Sequence, residues 1–330
     1  MPSAKLVTLI VWLVGMGVLV GLIVWSGADL VGHAIIDAGW AALLVVMVRI
    51  ASVATAGGGW WLLFPPTLRP SKWACVLLRF VREAANALLP LAQIGGDIIG
   101  ARCLALHGAK GVVAAASVIV DVLMQAATQL VFAIIGLMLL VALGGNELVA
   151  WPIAIGIAIA VPALAAFLMM QGQRGQSLVK RLLALVAPHR EWHVFGAIDD
   201  LFVRLNSFYS YRRGLAAGFL LHLAGWFLGA IEVWIVLHFM GYPVSFEQAV
   251  IIESLMHAVR GAAFAVPGAL GAQEGGLIVL CAIFGIPAEA ALALSLVKRI
   301  PDLVLGVPGL LAWQAIEGRH FFGARPRAGG

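Results

Sequence analysis

Asn86-Ala87-Leu88-Leu89-Pro90, running on through Leu91-Ala92-Gln93-Ile94 to Gly95-Gly96-Asp97, is the stretch whose reading decides the fold. It has a counterpart in Pro267-Gly268-Ala269-Leu270-Gly271-Ala272-Gln273-Glu274-Gly275-Gly276. In each copy a carboxylate follows the proline at seven residues and a glycine at eighteen, Gly108 in the first and Gly285 in the second. With one residue inserted, the register continues to Ala114-Ala115-Ala116-Ser117 and Asp121 in the first copy, and to Ala291 through Ser295 and Arg299 in the second. Paired Gly/Pro interruptions at matching places in two halves of an apolar chain are the best sequence pointer to a transporter's binding site.

The composition says what surrounds these breaks. Of 330 residues 62% are hydrophobic and 11% charged, and the mean hydropathy is +1.03. A soluble domain of this size needs far more polar surface, so the chain reads as an all-α polytopic membrane protein. Cys75, Cys103 and Cys281 lie in apolar stretches without CxxC or Cys/His spacing, which suggests neither disulfide nor metal site. No cofactor is implied. The net charge of +5 comes from basic residues gathered between apolar segments, where they report topology; nucleic acid is not an expected partner.

A helix needs about 20 residues to cross the hydrocarbon core. Six segments qualify: Leu6–Trp25, Trp40–Phe64, Gly111–Leu143, Ala150–Met170, Gly214–Met240 and Ala288–Ile316. The first is longer than a typical signal-peptide core and is expected to be a retained helix, although Ser26-Gly27-Ala28 loosely resembles a cleavage site. Around Pro90 and Pro267 the apolar pieces are too short to span, which predicts two re-entrant helical hairpins with tips near the midplane. The breaks are expected at Pro90, Gly95 and Gly96, and at Pro267, Gly268 and Gly271.

Charge assigns the sides. Segment 171–213 carries Arg174, Lys180, Arg181, Arg190, Arg204, Arg212 and Arg213, and the tail carries Arg319, Arg325 and Arg327. Both are expected to be cytoplasmic, as are both termini. The first hairpin then enters from the cytoplasm and the second from the far side. This gives a single membrane domain of two inverted repeats, 40–144 and 214–316. Segment 171–213 also shows apolar residues at helical spacing, among them Phe195, Ile198, Leu201, Phe202, Leu205 and Phe208. These fit either an amphipathic helix on the leaflet or a loop folded onto the bundle.

The hairpin regions carry residues that are costly in a bilayer. The first has Arg79, Arg82, Glu83, Asn86, Gln93, Asp97 and Arg102; the second has Glu253, His257, Arg260, Gln273 and Glu274. Each isolated charge near the membrane centre costs about 2.5–3.5 kcal/mol on insertion scales, so these groups must pair or face water. Arg79, Arg82, Glu83 and Asn86 share one helix face, and Glu253, His257 and Arg260 another. Asp97 and Glu274 fall where each second half-helix should start. They can cap it, or bind a proton, a cation or a substrate hydroxyl while Arg82, Arg260 or Arg299 meets an anionic group. Acids already at the helix ends favour a neutral or zwitterionic head group, or proton coupling. Asp121 with Gln125, and Lys298 and Arg299 with Asp302, either fix helix packing or line a pathway. Arg49 and Glu232 hold corresponding places in the two repeats and are expected to pair. His222 and His238 read as satisfied bundle residues.

Asn86 to Pro90 leading to Gly95-Gly96-Asp97 and Arg102, and Pro267 to Glu274 leading to Lys298-Arg299, resemble the two signature regions of the lysylphosphatidylglycerol synthase transmembrane, or flippase-like, family. Glu253-Ser254-Leu255, the run from Arg260 to Phe264 and Pro308-Gly309-Leu310-Leu311 look like its hopanoid-biosynthesis-associated members. The resemblance implies translocation of hopanoid or a related polar lipid in a bacterial inner membrane, with no synthase activity in this chain. Alternatives are polyprenyl-phosphate recycling, a non-transporting partner of lipid-biosynthesis enzymes, and an enzyme modifying lipid head groups. Glu253 and His257, four residues apart, keep the last open.

Overall fold

The computed structural model describes residues 39–89, 94–144, 147–173, 175–178, 181, 192–262 and 272–323. Leu6–Trp25, Pro90, Pro267, Gly268 and Gly271 lie outside the described residues, as do Arg325 and Arg327. Regular structure among the described residues is helical: α1 (Trp40–Leu63), α2 (Lys72–Leu88), α3 (Gly95–Leu106), α4 (Gly111–Ala142), α5 (Glu147–Met170), α6 (Trp192–Ser210), α7 (Arg212–Phe239), α8 (Phe246–Ala262), α9 (Ala272–Ala282) and α10 (Ala288–Gly323). Among these residues α1, α4, α7 and the Ala150–Met170 part of α5 are long and apolar enough to cross a membrane. The chain is an all-α polytopic membrane protein. α5 turns Trp151, Ile155 and Ile159 outward, a face suited to lipid rather than water.

One order of elements occurs twice. A long helix, a 17-residue helix, a short helix and a very long helix run 24, 17, 12 and 32 residues from α1 to α4, and 28, 17, 11 and 36 from α7 to α10. At 1.5 Å per residue α3 and α9 reach only about 16–18 Å, well short of the bilayer core. Both end alike. Gly108 (φ 97°) and Gly285 (φ 72°) take the left-handed conformation that glycine adopts without steric cost. The Ala109 N–H donates to Leu104 O at 3.3 Å and Gly108 N–H to Ala105 O at 3.0 Å; Ile286 donates to Cys281 O at 3.1 Å and Gly285 to Ala282 O at 3.1 Å. These are the two bonds of a Schellman stop, placed identically after Pro90 and Pro267.

Packing crosses between the halves. In lipid, helices gain little from hiding apolar surface and associate where small residues let them approach. α1 lies on α7, where a Cβ on Gly59 would stand 3.1 Å from His222 and one on Gly218 3.2 Å from Gly59 O. α10 meets α2 through Gly306 against Leu88 and Gly309 against Ala84 and the Phe80 carbonyl; α4 meets α8 through Gly136 against Ser254. The second helix of each half thus packs on the last helix of the other. Leu205 and Phe208 of α6 are buried in the core, with Phe208 edge-on to Phe64 at 5.2 Å, so the end of this segment folds onto the bundle.

Two expectations need correction. Gly95 and Gly96 form the first turn of α3, not an irregular tip. They are buried because that turn presses on α2: a Cβ on Gly96 would stand 2.2 Å from the Arg82 carbonyl oxygen. The last expected span does not stop at Ile316. α10 runs to Gly323 through Pro301 and Pro308, about 54 Å at helical rise, and takes Arg319 into the helix.

Candidate functional site

Asp121 organises the first half. It sits on α4 with no exposed surface, and its Oδ2 accepts from Arg82 Nη1 at 2.6 Å, Arg79 Nη1 at 3.2 Å and Gln125 Nε2 at 2.8 Å. Its Oδ1 is hydrogen-bonded to His222 Nε2 of α7 at 2.9 Å. Arg82 turns its other nitrogens to Asp97 Oδ1, Nη2 at 2.6 Å and Nε at 3.0 Å, and lies over the Trp60 ring at 4.8 Å. Arg79 Nη2 also donates to Glu83 one turn on and to Gln125 Oε1. Asn86 Oδ1 accepts from Gly96 N–H at 2.8 Å. The spacing of three and four residues along α2 puts these groups on one face, and Gly96 and Gly100 make room for them.

The second half is tied by other elements. Lys298 of α10 donates to Glu253 Oε2 at 2.5 Å and stands 3.7 Å from Glu232, while Glu253 Oε1 lies 3.1 Å from His257 Nε2. Arg49 of α1 donates to Glu232 Oε2 of α7 at 2.7 Å; this is the expected pair between corresponding helices. Arg299 Nη2 donates to Glu274 Oε1 at 2.6 Å. The Ser295 hydroxyl donates to the same oxygen and accepts from Gln273 Nε2, both at 3.1 Å.

Asp97 is not the N-cap residue of its helix. The helix α3 starts at Gly95, and Ile94 precedes it with no side-chain cap; Asp97 and Glu274 both lie inside the first turn. A carboxylate there still benefits from the positive helix end, but each is held by an arginine.

The two sets of groups share one cavity of about 370 Å³. Its described walls include the cations Arg49, Arg79, Arg82, Arg260 and Arg299, with Glu83, Asp97 and Asp302 as anions. Asn86 and Gln273 also line it. Asp121 and Glu253 stand behind this wall as buried acceptors. Glu274 reaches the cavity through its partner Arg299 and its neighbour Gln273. Arg102 takes no part: its side chain is 58% exposed and pairs with Glu317 near the end of α10, Nη2 to Oε2 at 2.9 Å.

Several wall residues were not singled out from sequence. Gln129 and Trp226 carried no signal beyond their polarity or ring. His222 was read as a satisfied bundle residue, and it is satisfied by the centre of the cluster. Among the described residues no group of three or more His, Cys, Asp or Glu could hold a metal ion.

The sequence profile of the lysylphosphatidylglycerol synthase TM region matches residues 12–309. The chain belongs to that family. Membership, with the apolar helices, makes it a multi-pass membrane protein. A stretch of 113 residues is 30% identical to a UPF0104 membrane protein of Methanothermobacter thermautotrophicus, covering 31% of this chain and 34% of that protein. The chain thus aligns with about a third of that curated relative's length. No solved structure matches.

Proposed function

We propose that this protein translocates a polar lipid, hopanoid or a related species, across a bacterial inner membrane. The head group enters the polar cavity while the tail stays in the bilayer. The observation that carries the reading is the cavity itself: about 370 Å³ inside an apolar bundle, lined by charged side chains from both halves. Structural ion pairs alone need no open space, since buried charges are best satisfied by direct contact. A ligand-sized chamber among them is what a head group needs.

The doubled helix order, the paired Schellman stops and the exchanged packing support two repeats related by an axis in the membrane plane. That arrangement suits alternating access about a fixed midplane site. On this reading α2–α3 and α8–α9 are re-entrant hairpins entering from opposite sides, and the protein is a carrier rather than an enzyme. The test is lipid transfer in vesicles reconstituted with purified protein. Asp97→Asn and Glu274→Gln are each expected to reduce transfer to the protein-free rate while the protein still elutes as a folded species. Wild-type transfer by both variants would refute the role of the hairpin acids.

A further inference from the structure

Behind the cavity wall, four helices bring ionisable side chains into one run of contacts. His257 of α8 and Arg49 of α1 line the cavity, with 19% and 25% of their side chains exposed. His257 Nε2 lies 3.1 Å from Glu253 Oε1, and Lys298 Nζ of α10 donates to Glu253 Oε2 at 2.5 Å. The same Nζ stands 3.7 Å from Glu232 Oε2 of α7. Glu253 is 3% exposed and Glu232 not at all, so the contacts lead from the cavity to a wholly buried acid.

The two acids are answered unequally. Both oxygens of Glu253 have a partner. Glu232 meets Arg49 and Lys298 at Oε2 alone, and its Oε1 is buried with no hydrogen bond among the described residues. A buried carboxylate oxygen without a donor is costly while the group is ionised, and a proton that neutralises the group lowers that cost. Charge reaches Glu232 from the helices around it: Arg49 of α1, Lys298 and Asp302 of α10, and Glu253 of α8. Asp302, Glu253 and Glu83 of α2 also act on Arg49, so Arg49 keeps negative charge nearby when Glu232 is neutral. Arg260 and Lys298 act on His257. Asp121 of α4 is engaged by His222, ten residues before Glu232 on α7 and about 15 Å away along the axis.

We infer that Glu232, away from the hairpin acids, is a proton-binding site loaded from the cavity through His257, Glu253 and Lys298, and that its proton is the coupling ion of transport. The coupling rests on the translocation reading; the site itself does not. Ionisable chains inside membrane bundles commonly serve as proton relays. His257 accepts a proton from cavity water and releases one from Nε2 to Glu253. Lys298 gives one to Glu232 and recovers one from Glu253. Glu232 ends neutral, the three intermediates end as they began, and the cluster gains one positive charge. Neutral Glu232 no longer offsets Arg49, which already lies on the cavity wall. By linkage, whatever occupies the cavity must then change the proton's affinity by the factor that the proton changes its own. The Arg49–Glu232 pair also joins the first helices of the two halves, so weakening it suits movement of one half against the other.

The test has a proton arm and a transfer arm, both on the full chain. In the first, infrared difference spectra are taken in detergent as the buffer steps from about pH 8 to about pH 5, the span in which histidine passes protons. Wild type is expected to gain the carbonyl band of a neutral carboxylic acid, equivalent to about one proton per chain. Glu232→Gln should lose that band, and Glu232→Asp should keep it at a shifted frequency, which a loss of folding would not allow. His257→Gln should leave the band at full height and slow its appearance, since the route is removed and the store is not. No band in wild type, or a full band in Glu232→Gln, overturns the inference. The second arm follows a labelled hopanoid polyol in phosphatidylcholine vesicles, its outer-leaflet share read by oxidation with external periodate. Across about one pH unit, one proton per lipid can hold the leaflets up to about tenfold apart at steady state. Glu232→Gln should bring them level. Level leaflets in wild type that does transfer the lipid overturn the coupling. No transfer by wild type would remove translocation and leave the proton site standing, and transfer without the infrared band would do the reverse.

Discussion

Glu83 and Arg260 stand at the same register, each seven residues before its proline, with opposite charge and opposite fates. Glu83 is paired with Arg79 one turn away while 45% of its side chain stays exposed, whereas Arg260 lines the same cavity without an ion pair or hydrogen bond among the described residues. Asp121 and Arg299 also share a register and are reversed in sign. Asp97 is consequently answered by its own hairpin through Arg82, and Glu274 by α10 through Arg299. The first half is a lattice centred on the fully buried Asp121; the second keeps about a quarter of each side chain of its Arg299–Glu274 pair exposed. On the translocation reading the first half would hold the shape of the chamber and the second would meet what enters it.

The largest expected effect tests the lattice. Asp121→Ala removes the shared acceptor of two buried arginines and of His222, and stranding buried charges costs about 3–5 kcal/mol. Glu274→Gln leaves a partly hydrated Arg299 behind and should cost only about 1 kcal/mol. Thermal unfolding in detergent measures both. Equal losses would mean that the two halves do not differ in this way.

The hairpins themselves differ in tightness, and glycine replacements should show it with opposite signs. A Cβ on Gly96 would collide with the Arg82 backbone oxygen, and one on Gly100 would stand 2.5 Å from the Arg82 side chain. Gly96→Ala is expected to cost about 3 kcal/mol by overpacking. Gly275, within α9, has nothing within 4 Å of that position. Gly275→Ala should therefore leave stability unchanged or raise it by up to about 1 kcal/mol, the helix-propensity gain. A destabilised Gly275→Ala would mean that α9 is packed as tightly as α3.

How much of this was legible in sequence follows from what each feature depends on. The breaks were legible because Gly and Pro act locally: Gly108 and Gly285 stop their helices by conformation alone. The shared faces of α2 and α8 followed from helical spacing, and the Arg49–Glu232 pair from matching places in the two repeats. Asp121 as the common acceptor was not legible, because it joins residues 39, 42 and 101 positions apart in the chain. That meeting depends on how closely α2, α4 and α7 approach. Sequence left Asp97 and Glu274 open between capping and binding, because capping is the local role for an acid at a helix start; their arginine partners come from packing. Arg102 was placed in the site for the same reason, since sequence proximity to Asp97 does not say which face of α3 it occupies.

The smallest expected effect is at Arg102, and it bounds the site from outside. Its guanidinium is mostly hydrated and pairs with Glu317, so Arg102→Ala should cost no more than about 1 kcal/mol, the range of exposed pairs. Because the side chain is not among the cavity's lining residues, lipid transfer should stay at the wild-type level. A loss of transfer in Arg102→Ala without a loss of stability would mean that the joint between α3 and the end of α10 moves during the cycle. The division between a fixed first half and a responsive second half would then have to be redrawn along that joint.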